Sequence, residues 1–162
     1  MNSKIDVSNK FLLFQDLSLE EVSVLGEHLG SMELLKNDIV FNEGDAGEFV
    51  CFVVDGQLEV LKESLDGKMN SLATLNNGQA FGEMALVDGL PRSATIRAIS
   101  QSTLRVLSRK DFDALLNQAP QIGIKILKHL ARGLSLNLRK TSKKLADCME
   151  IDSIAISEKE GS

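Results

Sequence analysis

The sequence lacks tryptophan and tyrosine, and phenylalanine, with seven copies, supplies all of its Phe/Trp/Tyr aromatics. So few aromatic rings argue against the stacking platforms of single-stranded nucleic-acid-binding domains. The longest apolar run, residues 49–54, is far shorter than the roughly 18 residues that a membrane span requires. Residues 1–10 are polar and lack the apolar segment of a secretory signal. We therefore predict a cytoplasmic protein without a membrane span.

Metal-binding and catalytic residues are equally scarce. Two cysteines, Cys51 and Cys148, and two histidines, His28 and His129, form neither a disulfide framework nor a metal-ligand pattern. No HExxH, GxSxG, P-loop or CxxC motif is present. We therefore expect no enzyme, no catalytic residue and no catalytic cofactor, and a haem or iron–sulfur sensor is a minor alternative.

The net charge is −5, but one segment is basic. No acidic residue lies between Asp113 and Asp147, and this stretch contains seven basic residues: Lys125, Lys128, Arg132, Arg139, Lys140, Lys143 and Lys144. Such a segment either meets an acidic partner or is the solvated face of a helix. We favour the solvated face, because the chain is acidic overall and has no recognisable DNA-reading motif.

Short β-rich segments dominate the middle of the chain. Ser18 and Glu21 form a capping box that predicts a helix at about 18–29. Between about 32 and 108, glycine-marked turns recur about every 11 residues, which is typical of an antiparallel sandwich or barrel. Asp66-Gly67 predicts a type I′ hairpin turn. The predicted strands are 39–42, 49–54, 57–63, 69–75, 94–99 and 102–107.

Helices return after residue 108. Ser108 caps a short helix to about Asn117, and Pro120 begins a long helix to about 145. This helix has a heptad seam of Ile124, Leu127, Ala131, Leu134, Leu138, Thr141 and Leu145, and a second apolar row of Ile122, Ile126 and Leu130. One row can pack on the body while the other forms a homodimer; a single wide apolar face in one protomer is the alternative. We predict a flexible arm at 1–10 and a disordered tail at 146–162.

Residues 78–99 contain the most informative pattern. Gly82 permits close approach of the backbone, and a helical turn follows at Glu83. Arg92 can bind phosphate oxygens, and Ser93 adds a hydroxyl. The combination suits a ligand with an anion and a hydroxyl, such as a sugar phosphate. The alternative is that Glu83 and Arg92 form a surface ion pair.

These residues resemble a known family. The segment Phe81-Gly82-Glu83-Met84-Ala85-Leu86, followed by Pro91-Arg92-Ser93-Ala94-Thr95, is similar to the phosphate-binding cassette of cyclic nucleotide-binding domains. We call residues 82–95, which follow Phe81, the cassette. The resemblance covers about residues 11–145, including Glu43-Gly44-Asp45 and Gly56. It implies a mainly β fold, a β-roll of the jelly-roll type with one N-terminal and two C-terminal helices.

The resemblance also implies roles in binding cyclic AMP or cyclic GMP. Glu83 accepts a hydrogen bond from the ribose 2′-hydroxyl, and Gly82 lets the ribose lie against the backbone. Arg92 neutralises the cyclic phosphate. Four further residues complete the site, through backbone N–H groups at Met84, Ala85 and Ala94 and through the hydroxyl of Ser93.

Some positions depart from the family pattern. Cys51 stands where many relatives have tyrosine. The base-contacting positions on the long helix are Gly133, Asn137 and Leu138, of which only Asn137 can hydrogen-bond a purine. Thr141 from a partner chain is a further candidate. Since Ser93 suits either nucleotide, we only favour cyclic AMP over cyclic GMP.

The resemblance predicts a regulatory module in which the C-terminal helix moves on binding and signals to a partner protein or a second protomer. No helix-turn-helix follows the domain in this chain, so we expect no direct sequence-specific DNA binding. Two alternatives remain. The chain is an interaction domain with an unused pocket, or a DNA-associated regulator without its own reading domain.

Overall fold

The computed structural model describes the backbone of residues 15–160 and the side chains of residues 15–150. The chain divides into two units, Met1–His129 and Leu130–Ser162, and the boundary falls within the last helix. The elements are α1 (Leu19–Glu27), β1 (Gly30–Leu34), β2 (Ile39–Phe41), β3 (Phe49–Asp55), β4 (Leu58–Glu63), β5 (Met69–Leu75), β6 (Ala80–Phe81), α2 (Glu83–Asp88), β7 (Thr95–Ala98), β8 (Ser102–Ser108), α3 (Arg109–Gln118) and α4 (Pro120–Glu160).

The strands form two four-stranded sheets with the orders β1-β8-β3-β6 and β2-β7-β4-β5, and all strand pairs are antiparallel. Strands distant in sequence are neighbours, as in the pairing of Gly30 with Val106. This is the order of a double-sheet jelly roll. The predicted mainly β fold with an N-terminal helix and two C-terminal helices is confirmed.

The hydrophobic core is formed by inward-facing residues of both sheets. Cys51 and Val53 of β3, Leu58 of β4 and Leu104 of β8 are all inaccessible to solvent. The apolar run 49–54 therefore lies deep in the molecule, as its composition predicts, because a strand covered on both faces has no polar side to show water.

The cap of α1 forms as predicted. The Glu21 N–H donates to Ser18 Oγ over 3.2 Å, and the Ser18 N–H donates to Glu21 Oε2 over 2.7 Å. Glu21 also accepts from Lys125 Nζ at 2.7 Å, which fixes the start of α4 to α1. Hydrogen bonding to Lys125 and to Ser18 lowers the pKa of Glu21.

Two strands and one turn differ from prediction. β1 and the two-residue β6 were not expected. The prediction of a type I′ turn at Asp66-Gly67 is wrong. Such a turn needs a positive φ at both residues, and Gly67 has a φ of 78° while Asp66 does not have a positive φ. Ser64 and Lys68 close a three-residue loop, in which the Gly67 N–H donates to the Ser64 carbonyl over 2.8 Å. A type I turn followed by a left-handed glycine is the usual solution for that loop length.

The last helix is longer than predicted. α4 continues to Glu160, so residues 146–160 are helical and the expectation of a disordered tail is wrong for them. The physical reason is local, since residues 121–160 contain no proline and residues 146–160 no glycine to end the helix. The predicted arm, residues 1–10, lies outside the described residues, as do residues 161–162.

The two apolar rows of α4 differ in exposure. Ile122 and Ile126 are 1% and 0% exposed, and Gly123 packs so closely on α3 that an added Cβ would lie 2.3 Å from Leu116. Seam residues such as Leu138 and Leu145 are more than 60% exposed. The helices of residues 15–160 include none with both the length and the hydrophobicity that a membrane span requires.

Candidate functional site

The cassette lies at the junction of β6, α2 and β7. Gly82 joins β6 to α2 with a φ of 77°, a conformation that favours glycine. A Cβ at this position would lie 2.6 Å from Arg92 NH1. Gly82 is therefore needed for both backbone conformation and space.

A second turn holds the other end of the cassette. The Arg92 N–H donates to the Asp45 carbonyl over 2.8 Å, and the Gly44 N–H donates to the Arg92 carbonyl over 2.9 Å. The Glu43 N–H donates to Thr95 Oγ1 over 2.9 Å. The Glu43-Gly44-Asp45 motif recognised in the sequence thus fixes the backbone on either side of Arg92.

The Arg92 side chain is buried, with 3% of its surface exposed. NH1 donates to the Gly82 carbonyl over 2.9 Å, and NH2 donates to the Phe49 carbonyl over 2.8 Å. The guanidinium carbon lies 4.0 Å from the ring centroid of Phe41 and 4.5 Å from that of Phe49. Nε is buried and has no hydrogen-bond partner. Burial lowers the pKa of Arg92.

Glu83, the first residue of α2, is also buried, at 8% exposure. Burial raises the pKa of Glu83, while its own backbone N–H and the charge of Arg92 act in the opposite direction. The four salt bridges found among the described residues do not include Glu83 or Arg92. The alternative of a surface ion pair between them is therefore wrong, because both groups are withdrawn from the surface without pairing directly.

The other predicted cassette residues surround these two. Ala85 and Ala94 are buried, at 3% and 9% exposure, while Met84 and Ser93 are exposed. The Ser93 hydroxyl lies 3.8 Å from Met84 Sδ, and the Ser93 carbonyl accepts from Lys62 Nζ over 2.8 Å. The structure thus brings all seven predicted cassette residues into one region.

The two predicted base-contacting residues are on the last helix, α4. Asn137 and Thr141 are exposed on α4, within the unit Leu130–Ser162. Their role stays a prediction.

Sequence reasoning missed Arg109, at the start of α3. Its guanidinium donates to the Leu86 carbonyl over 3.0 Å, to the Ala85 carbonyl and to the Gly47 carbonyl over 3.4 Å. A Cβ on Gly47 would lie 2.0 Å from the Ala85 Cβ, so α2 packs directly on this glycine. No local sequence pattern predicts these contacts, because the carbonyls that accept from Arg109 lie 23 to 62 residues away along the chain.

Phe41 and Phe49 were also missed as site residues. The chain's low aromatic content makes two rings flanking the Glu43-Gly44-Asp45 turn a usable signal. Only the tertiary structure places both against Arg92.

Across the described part of the chain, no group of three or more His, Cys, Asp or Glu residues is placed to hold a metal ion. Burial raises the pKa of the Cys51 thiol to about 12. An open cavity of about 430 Å³ lies at the start of α3, lined by Glu48, Ser108, Arg109, Lys110 and Asp113, and it includes none of the predicted site residues.

Comparison with known proteins identifies relatives of this chain. A cyclic AMP receptor protein of Thermus thermophilus is 32% identical over 122 residues, which are 75% of this chain and 56% of that protein. A cAMP-dependent protein kinase regulatory subunit of Debaryomyces hansenii is 34% identical over 70% of this chain and 26% of its own length. This chain thus spans a part of each relative.

The fold comparison agrees as well. A crystal structure of a cyclic nucleotide-binding domain from Methylobacillus flagellatus has a TM-score of 0.76 and 29% identity, over 80% of this chain and 72% of that one. The family model "Cyclic nucleotide-binding domain" matches residues 31–119, more than half of the chain. The chain belongs to the cyclic nucleotide-binding domain family.

Proposed function

We propose that this chain is a non-enzymatic regulatory module that binds cyclic AMP, in preference to cyclic GMP, at the cassette. The unpartnered Nε of Arg92 carries the proposal. A buried donor without an acceptor costs free energy, and a charged one costs more. A cyclic phosphate next to Arg92 would supply both the missing acceptor and the missing negative charge.

The buried carboxylate of Glu83 supports the same ligand. An ionised carboxylate can only accept hydrogen bonds, so its complement is a hydroxyl donor such as the ribose 2′-hydroxyl. Glu83 and Arg92 are close enough for each charge to influence the other's pKa, although they do not pair. A ligand with a hydroxyl and an anion a few atoms apart would engage both.

The remaining contacts follow from the arrangement of the cassette. Gly82 leaves the backbone open to the ribose, and the exposed Ser93 hydroxyl is available to the phosphate or to a base. The N–H groups of Met84 and Ala85 belong to the first turn of α2, where helical N–H groups lack partners within the helix. With the N–H of Ala94, they complete the proposed phosphate site.

Base selection is proposed to involve α4. Asn137 carries an amide and Thr141 a hydroxyl, and either can hydrogen-bond a purine edge. Ser93 suits cyclic AMP or cyclic GMP, so the preference for cyclic AMP rests on the resemblance of this cassette to bacterial cyclic AMP-binding relatives.

We further propose that binding is transmitted to the C-terminal helices. Arg109 connects the carbonyls of Ala85 and Leu86 to the first residue of α3. Gly123 then packs on Leu116, which links α3 to α4 without space between them. A change at the cassette would shift the population of C-terminal helix positions, provided that the ligand binds one position more tightly. A homodimer formed through the exposed seam of residues 120–145, or a partner protein, would read the change.

Calorimetric titration of the full chain with cyclic AMP and, in parallel, with cyclic GMP tests the proposal. We expect saturable binding, tighter for cyclic AMP, and a loss of about 10- to 100-fold in Arg92→Ala, because a charge-assisted hydrogen bond contributes about 1.5–3 kcal/mol. Arg97→Ala is the matched control, since Arg97 on β7 pairs with Glu59 over 2.6 Å and does not touch the cassette arginine. Absence of binding, or equal affinity of Arg92→Ala and the wild type, would refute the proposal.

A further inference from the structure

Two phenylalanine rings enclose the guanidinium of Arg92. Its carbon lies 4.0 Å from the centroid of Phe41 and 4.5 Å from that of Phe49, and the two centroids are 6.0 Å apart. These distances place the rings on two adjacent sides of the guanidinium, with their planes at 65° to each other. We call Phe41 and Phe49 the aromatic corner.

The other sides of the guanidinium are mostly occupied by backbone. NH1 donates to the Gly82 carbonyl and NH2 to the Phe49 carbonyl, so each terminal nitrogen has an acceptor within the protein. Nε is the nitrogen left without one. Phe49 therefore contributes twice, with its ring and with its carbonyl.

The aromatic corner also contacts a cation that has no salt-bridge partner among the described residues. Arg92 is buried, and no carboxylate of the described residues forms a salt bridge with it. The faces of aromatic rings carry partial negative charge and attract a guanidinium most strongly when water is excluded. The two rings and two carbonyls can thus hold a buried cation in one position before any ligand arrives.

We propose that Phe41 and Phe49 are positioning residues of the anion site: they fix the Arg92 guanidinium so that Nε is the donor available to the phosphate. This inference rests on the proposed function. A side chain that is already ordered loses less conformational entropy on binding, so preorganisation by the corner raises affinity. Neither ring needs to touch the ligand.

The competing explanation is that both rings simply fill the core. Phe81 provides the matched control, because its ring centroid lies 6.0 Å from that of Phe41 and it is 4% exposed, but it makes no cation–π contact with Arg92. A substitution at Phe81 therefore perturbs the packing around Phe41 but leaves both cation–π contacts of Arg92 in place.

The first experiment measures cyclic AMP affinity of Phe49→Leu and Phe81→Leu, each in the wild-type and in the Arg92→Gln background. We expect Phe49→Leu to weaken binding roughly 5- to 20-fold and Phe81→Leu by less than about threefold. In the Arg92→Gln background the effect of Phe49→Leu should shrink to less than about twofold, since contacting residues are not additive. Phe49→Tyr, which keeps the ring, should restore most of the affinity. Equal losses at Phe49 and Phe81, or an undiminished effect in the Arg92→Gln background, would overturn the proposal.

The second experiment needs no nucleotide. We expect the Arg92 Nε–H signal in the ¹H–¹⁵N spectrum of the ligand-free protein to be shifted upfield by the two ring faces. The shift should be reduced in Phe41→Leu and in Phe49→Leu and preserved in Phe81→Leu. An unshifted wild-type signal would refute the aromatic corner. If the upfield shift were present but the wild type bound neither cyclic nucleotide, the proposed function would fail. The contact between the rings and the guanidinium would still be supported.

Discussion

The cassette and the hairpin formed by β4 and β5 use charged residues in opposite ways. In the hairpin, Asp66 is exposed, and hydrogen bonds from Ser64 and Lys68 lower its pKa. In the cassette, Glu83 is buried, and burial raises its pKa. The first carboxylate is satisfied by its immediate neighbours and water. Burial opposes the ionised form of the second carboxylate.

This difference shows where a ligand can contribute most. The hairpin charges already have partners, so nothing added from solution gains much by pairing with them. Glu83 and Arg92 are buried without pairing directly, so a molecule with a complementary charge and hydroxyl can form favourable interactions that are not made within the protein. Among the described residues, Arg92 Nε is the buried side-chain polar atom without a hydrogen-bond partner, and this distinguishes the candidate site.

The largest expected effect compares two glycines with nearly the same backbone conformation. Gly82 has a φ of 77° and Gly67 one of 78°. Alanine at Gly67 should cost about 1 kcal/mol, because only the left-handed conformation is strained. Alanine at Gly82 should cost about 3 kcal/mol, because its Cβ also collides with Arg92. Urea denaturation measures both values. Similar costs at the two positions would contradict the close packing of Gly82 against Arg92.

An intermediate effect is expected at Arg109. Arg109→Ala removes the donors to the Ala85, Leu86 and Gly47 carbonyls, and we expect a loss of about 2 kcal/mol in stability from the unpaired acceptors. Lys68→Ala in the hairpin removes an exposed salt bridge and should change stability too little to measure. Thermal denaturation of both variants checks the contrast. Stability of Arg109→Ala equal to the wild type would remove Arg109 from the proposed connection between α2 and α3.

The smallest expected effect on stability has the opposite sign. Glu83→Gln should stabilise the ligand-free protein by about 1 kcal/mol at neutral pH, because it removes the cost of burying a charge. The same variant should bind the nucleotide more weakly. Asp66→Asn should not stabilise the hairpin, since its carboxylate is favourably hydrogen-bonded. A Glu83→Gln protein less stable than the wild type would show that the carboxylate is satisfied within the fold.

The stability difference between Glu83→Gln and the wild type should depend on pH, because the pKa of Glu83 is raised. The folded state binds the Glu83 proton more tightly than the unfolded chain does, so this residue's contribution favours folding more as pH falls. The stability advantage of Glu83→Gln should therefore be full above the raised pKa and should disappear as pH falls toward 4.5, the carboxyl's ordinary value. Urea denaturation of both proteins across this range, taken as a difference, isolates Glu83 from the other carboxylates. A difference independent of pH would contradict the buried position of an ionised Glu83.

Much of the fold is readable from local signals. The capping box at Ser18 and the cap at Ser108 predict the starts of α1 and α3, and the alternation of apolar runs and glycines predicts six of the eight strands. β1 and β6 escape prediction because they are short or weakly apolar, and they become strands by pairing with β8 and β3. The end of α4 was missed because acidic, small residues resemble a disordered tail, although nothing among residues 146–160 breaks a helix.

Residue types at short spacing are enough to predict the cassette, the turns that flank it and the order of the helices and of the six predicted strands. The environment of Arg92, in contrast, depends on the tertiary structure. Phe49 lies 43 residues from Arg92, yet it contributes both a carbonyl and a ring, and Gly82 contributes the second carbonyl. Which groups are buried without a partner depends on how distant strands close over them, and no local pattern carries that information.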